Sequence, residues 1–79
     1  MRRHGIPVYP EGVTASTVVT VYGFDVRWSG DGFGKHGNGP FSTRLQALAC
    51  LRAFPYAGEV VPVIVQMDAR SAWGRGFSL

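Results

Sequence analysis

The chain has 79 residues, of which 46% are hydrophobic and 16% charged, and its formal net charge is +3. A chain of this length forms one domain, residues 1–79, and its apolar content is untypical of a disordered protein. The single cysteine excludes an internal disulfide framework, and no apolar run approaches the roughly 20 residues of a membrane span. We therefore expect a small cytoplasmic protein.

The basic residues are mostly arginine: there are seven arginines and one lysine. The planar guanidinium group suits phosphates and carboxylates better than an ammonium group does. A basic balance of this kind favours an acidic partner, either nucleic acid or an acidic protein surface. A slightly basic surface without a specific target is the alternative, because +3 is a modest charge.

The first part of the chain predicts an arm followed by strands. Residues 1–12 are expected to form a basic arm, because glycines and prolines interrupt them and Arg2 and Arg3 lie near their start. Residues 13–29 are the strongest β-strand candidate, being rich in valine, threonine and aromatic residues. The apolar alternation changes phase at Gly23, which favours two strands that meet there, with one bent strand as the alternative.

Residues 30–40 are rich in glycine and contain an Asp-Gly and an Asn-Gly turn dipeptide. Between these dipeptides, residues 33–36 could form a short strand in a hairpin with residues 24–29. The glycines from Gly32 to Gly37 match the pattern G-x-G-x-x-G, but in a dinucleotide-binding unit a helix must begin inside that pattern. The expected helix begins later in this chain, so a hairpin tip is the preferred interpretation.

Residues 43–54 are the only stretch with a clear helical signature. Thr43 can cap the helix, since a glutamine follows three residues later as in a capping box, and a proline follows the stretch. With a helical period of about 3.6 residues, Leu48, Leu51 and Phe54 cluster on one face, with Leu45 at its edge. We expect this face to pack on the sheet.

The opposite side of this helix has little charge for a solvated surface. It consists mainly of Ala49, Cys50 and Ala53. A flat surface of small residues can accept another helix or sheet, which predicts possible self-association as a homodimer. The alternative is that the arm or the C-terminal tail covers it. Cys50 is expected to behave as a small hydrophobic residue.

The chain after the helix predicts one more strand, residues 59–67, and a basic, aromatic tail, residues 68–79. Pro62 cannot donate to a ladder, so this strand should lie at a sheet edge or begin pairing after the proline. The tail is either a last short strand or a flexible end. The fold class is therefore α+β, with a mostly antiparallel sheet of three to five strands and one helix on one face. The predicted core consists of Leu48, Leu51, Val19, Val21, Val63 and Val65.

No catalytic motif is present, and we expect a non-enzymatic protein without a cofactor. The acidic residues are scattered, and His4, His36 and Cys50 lack the spacing of metal ligands. Basic residues instead alternate with aromatic ones, a combination that holds phosphates, stacks on bases and forms hot spots of protein interfaces. The candidate partner-binding residues are Arg27, Lys35, Arg70, Trp73 and Arg75.

Residues 24–54 resemble the arm-type DNA-binding domains of tyrosine integrases and the related AP2 domain. The similar features are Phe-Asp-Val-Arg-Trp in a strand and Pro-Phe-Ser-Thr-Arg-Leu-Gln-Ala-Leu at the start of a helix. In that family the sheet enters the DNA major groove, so the resemblance implies that Arg27 and Lys35 would face DNA. The chain departs from the family in its glycine-rich segment and in the strand after the helix.

The whole chain resembles the small single-domain anti-CRISPR proteins of bacteriophages, including those directed at type I systems. The similarity is in size, in the expected lone α+β domain and in the lack of a catalytic motif. It implies a partner in the bacterial cytoplasm: a host CRISPR–Cas effector, either the surveillance complex or its nuclease. Many of these inhibitors are acidic DNA mimics, whereas this chain is basic, which favours docking on an acidic protein surface or on nucleic acid.

Overall fold

The computed structural model describes residues 5–32 and 39–79. In chain order these contain β1 (Val18–Trp28), a short 3-10 helix (Gly30–Gly32), α1 (Arg44–Ala53), β2 (Gly58–Asp68) and α2 (Ala69–Gly74). The predicted α+β class is confirmed. The predicted number of strands is wrong for this part of the chain, which has a sheet of two strands. The strand expected at residues 33–36 lies outside the described residues.

The two strands form one long antiparallel ribbon. Val18 lies opposite Asp68 at one end and Trp28 lies opposite Gly58 at the other. We call these the α2 end and the α1 end, after the helix that packs at each. Within residues 5–32 and 39–79, a further bridge adds Phe41 to β1: the N–H of Phe24 donates to the Phe41 carbonyl at 2.9 Å and the Phe41 N–H donates to the Phe24 carbonyl at 2.7 Å.

Gly23 does not divide β1, so the preference for two strands meeting there is wrong. A Cβ atom at this position would lie 2.6 Å from the carbonyl oxygen of Phe41 and 2.8 Å from a ring carbon of Phe77. The glycine therefore permits close approach of two neighbouring segments, and the strand continues through it. The change of phase in the apolar pattern has another cause, which lies in the packing of the two helices.

Each helix covers a different face of the ribbon. At the α2 end, odd-numbered Val19 and Val21 face the cluster formed with Ala72 and Phe77. At the α1 end the even-numbered side chains are covered. That cluster includes Val26, Trp28, Ala47, Phe24, Phe41, Cys50, Leu51, Tyr56 and Val60. Since strand side chains alternate between faces, the phase change at Gly23 marks the point where the covered face switches.

The predicted helix is present as α1, with Thr43 as its N-cap: the Thr43 hydroxyl accepts from the Gln46 N–H at 3.2 Å. Its predicted packing face is observed only in part. Ala47 is fully buried and Leu51 packs beside it, whereas Leu45 and Phe54 are exposed. The side of α1 that packs on the ribbon is therefore centred on Ala47 and Leu51, with the Phe54 ring against Trp28 at its edge.

The tail is neither a strand nor a flexible end, because residues 69–74 form α2 directly after β2. Asp68 caps its start, accepting from the Ser71 N–H at 2.9 Å and from the Ser71 hydroxyl at 2.8 Å. At its end the Phe77 N–H donates to Ala72 and the Gly76 N–H to Trp73, both at 3.0 Å. This is a Schellman motif with Gly76 at φ 86°, and its usual hydrophobic contact is the one between Phe77 and Ala72.

The predicted core is partly observed. Val21 is buried, Val19, Val65 and Leu51 are half-buried against the two clusters, and Val63 and Leu48 are half-buried. Pro62 lies in an edge strand as predicted. Over the described ranges, no helix combines the length and apolar character needed to cross a membrane.

Candidate partner-binding surfaces

The structure separates the predicted binding residues into two groups and leaves one outside the described residues. Arg70 and Trp73 lie on α2, and Arg75 is its C-cap. Arg27 lies near the other end of the ribbon, nine residues along β1 from Val18, which is opposite the start of α2, a distance of about 30 Å in an extended strand. Lys35 lies outside the described residues. The three tail residues, on or next to α2, are therefore one group separate from Arg27, and the region around them is called the α2 surface below.

The α2 surface borders a groove. Trp73 is half-buried and lines this groove together with Leu79 and with the arm residues Val8, Tyr9 and Pro10. The arm and the tail thus meet here, although they lie at opposite ends of the sequence. The Tyr9 hydroxyl is buried with no hydrogen-bond partner, which costs free energy in the folded state.

Arg70 is the exposed charge of this surface, and its helix is held at both ends. The Arg70 backbone N–H donates to the Ala15 carbonyl at 3.1 Å, which fixes α2 against the loop before β1. The backbone N–H of Ser71, and then its hydroxyl, lower the pKa of the Asp68 carboxyl below its ordinary value. Both bonds are stronger to the ionised carboxylate, so the charge of Asp68 helps to hold the start of α2.

Arg27 lies in an acidic surrounding. It is exposed and stands directly opposite Glu59 on the ribbon. The other charged residues of the two strands are Asp25 and Asp68, so the ribbon carries one arginine against three carboxylates. The arginines of the described helices lie elsewhere, on α1 and α2. The sheet is therefore not the basic surface of the molecule.

The predicted self-association surface on α1 is divided by the packing. Ala49 and Ala53 are exposed, but Cys50 is half-buried and packs against the Trp28 cluster. The thiol therefore belongs to the inner side of the helix. Two alanines remain as the outward part of this candidate surface.

Sequence reasoning missed another surface, the even-numbered face of the ribbon at the α2 end. Tyr22 is 75% exposed, Ile64 68% and Val18 67%. These side chains, with Thr20, Pro62 and Gln66 between and beside them, are called the open face below. The available signal was that residues 18–22 are apolar on both faces of the strand, while one helix can cover only one of them.

Among the described residues, no group of histidine, cysteine or carboxylate side chains could hold a metal ion. Comparison of the chain with protein-family models, with curated proteins and with solved structures finds no match.

Proposed function

We propose that the protein is a non-enzymatic inhibitor that binds a host CRISPR–Cas effector and blocks target DNA binding or cleavage. The observation that supports a binding role is the grouping of Arg70, Trp73 and Arg75 on one short, doubly capped helix. The choice of target follows from the resemblance to small anti-CRISPR proteins. The inhibitor acts by occupying a surface that the effector needs for DNA.

The chemistry of the α2 surface suits a protein partner. Tryptophan and arginine dominate the hot spots of protein interfaces, where a central anchor is surrounded by contacts that exclude water. Trp73 beside the groove supplies the apolar anchor, and Arg70 supplies an exposed charge for an acidic patch. Such charges mainly raise the rate of association and fix orientation, while the anchor slows dissociation.

The test compares two arginines that differ in place but not in chemistry. Arg70 and Arg44 are both exposed and both lie in the first turn of a helix. Binding to purified surveillance complex is measured for the wild type, Arg70→Ala and Arg44→Ala at low and moderate salt. We expect Arg70→Ala to weaken binding at least about tenfold and Arg44→Ala to leave it nearly unchanged. Equal small losses, or no binding by the wild type, would overturn the proposal.

A DNA-binding module is the second candidate, and the ribbon is the observation that favours it. A two-stranded antiparallel ribbon fits the major groove of B-DNA. Two of its carboxylates weigh against this use, because Asp25 and Glu59 lie on the same odd-numbered face as Arg27 and would face the phosphates with it. Titration of free duplex DNA discriminates the two functions: the module requires an affinity that falls with salt at a logarithmic slope of about −0.9 per phosphate contact. Negligible affinity for free DNA is expected for the inhibitor.

A further inference from the structure

The open face is an apolar surface that the fold leaves uncovered. At the α1 end the same face of the ribbon is covered by α1, and at the α2 end the opposite face is covered by α2. The even-numbered side chains at the α2 end consequently remain in water, with Tyr22 75% and Ile64 68% exposed. The apolar part of this face is centred on the Tyr22–Ile64 pair, beyond the polar pair of Thr20 and Gln66, and exposed apolar side chains grouped in this way are typical of an interaction site.

The open face contains projecting side chains and, beside them, a groove. Tyr22 pairs with Ile64 and Phe24 pairs with Pro62, so two cross-strand pairs stand side by side. The groove between them is floored by Gly23 and Val63. A second ribbon has the same spacing between its pairs, since side chains on one face of a strand repeat every two residues. A projecting pair from one copy therefore fits the groove of another.

Charge also favours a second copy over a nucleic acid or an acidic protein. The only charged even-numbered residue in the two strands is Asp68, and its carboxylate is engaged by Ser71 at the start of α2. A chain with a net charge of +3 repels its own copies wherever arginines meet. The open face is a place where two copies can meet without bringing arginines together.

We propose that two copies of the chain pack face to face through their open faces, related by a twofold axis that passes near Tyr22 and Ile64. The same patch is used by both copies, so the contact closes and a dimer is the end product. The two ribbons form two layers about 10 Å apart, as in packed sheets. This interface differs from the α1 surface of Ala49 and Ala53, and it is independent of the proposed effector binding by α2.

The first experiment measures the mass of the wild type by sedimentation across a wide dilution series. We expect a plateau at twice the chain mass of 8.6 kDa. Tyr22→Glu should raise the dimer dissociation constant at least about tenfold, because a charge would be buried in an apolar contact. The matched control is Leu45→Glu, which places the same charge at an exposed apolar residue of α1 and should leave the dimer intact.

Complementary charges separate loss of the interface from loss of folding. Ile64→Glu and Ile64→Lys should each be monomeric alone, and an equal mixture should form a mixed dimer because the opposite charges meet near the twofold axis. A monomeric wild type would overturn the proposal and leave the face to a different partner. So would an undiminished dimer of Tyr22→Glu, no recovery on mixing, or a mass that keeps rising with concentration, which indicates pairing through strand edges.

Discussion

The α1 end and the α2 end of the ribbon each pack one helix, but on opposite faces and with side chains of different size. At the α1 end Trp28 meets the rings of Phe54 and Tyr56 edge to face, with centroids 5.8 and 6.0 Å away. At the α2 end two fully buried alanines, Ala69 and Ala72, bring the helix close to the strands. An isolated two-stranded ribbon is marginal in water, and here a helix on each face supplies the missing core.

The largest effect is expected from Trp28→Ala, which removes the centre of the α1-end cluster. Trp28 is 6% exposed, and truncating a buried tryptophan to alanine costs about 3–5 kcal/mol in free energy of unfolding. Urea denaturation followed by circular dichroism measures the loss. A cost below about 1 kcal/mol would mean that the aromatic contacts contribute little and that the α1 end is held mainly by α1 itself.

Gly23→Ala tests the point at which the two ends meet. The added methyl group would press on the Phe41 carbonyl from the α1-end cluster and on the Phe77 ring from the α2-end cluster. We expect a loss of about 1–3 kcal/mol in free energy of unfolding.

The matched control is Gly74→Ala in α2, where a Cβ meets nothing within 4 Å. It should be neutral, or stabilising by up to about 1 kcal/mol through helix propensity. If both alanine variants behave alike in the same urea titration, close packing at Gly23 is not a feature of the folded protein.

These two ends also differ in how far the sequence predicts them. Thr43 is a recognisable N-cap and the ten residues of α1 show a helical period, so the position of that helix could be predicted from the sequence. Its packing face could be predicted only in part, because a pattern of large apolar residues includes the exposed Leu45 and gives no weight to the fully buried Ala47. The six residues of α2 are too few to show a period, and only Asp68 followed by Ser71 signals its start. The sequence thus placed Arg70, Trp73 and Arg75 in one tail but could not predict the helix that carries them.

The prediction of three to five strands failed because a pattern of apolar residues does not identify the element that packs on it. Alternation of apolar and polar residues places a strand on a surface but does not say whether another strand or a helix covers it. Pro62 correctly identified an edge, since its missing N–H faces outward. The open face was missed because Tyr22 and Ile64 are residues typical of a protein core, although both side chains are exposed to solvent.

Gly76→Ala tests the Schellman motif that ends α2. Gly76 has φ 86°, a left-handed conformation that costs an alanine about 1–2 kcal/mol. We expect a loss of that order in free energy of unfolding, again with Gly74→Ala as the control that has no positive φ. An unchanged stability would show that the chain after α2 rearranges without cost and that Phe77 is not held by this turn.

The smallest effect concerns pH. Because Ser71 lowers the pKa of Asp68 in the folded state, this carboxylate contributes stability above its unfolded pKa. The contribution is lost as pH falls through the lower, folded pKa. Asp68→Asn keeps a good capping side chain but cannot titrate, so its stability should fall less on acidification below about pH 4. Parallel pH profiles of the two proteins in thermal unfolding would contradict the account.

The central structural claim is a two-stranded ribbon with helices on opposite faces, whose outer β2 edge pairs with no other segment of the described chain. Amide hydrogen exchange tests this claim most directly. The Ser29 N–H donates to the Ala57 carbonyl and the Ala69 N–H donates to the Thr17 carbonyl, so the odd-numbered residues form the hydrogen bonds between the two strands. The N–H groups of even-numbered β2 residues therefore point away from β1. The account predicts slow exchange at Val63, Val65 and Met67 and fast exchange at Val60, Ile64 and Gln66. Equal protection of both sets would show that β2 is paired on both sides and would contradict the ribbon.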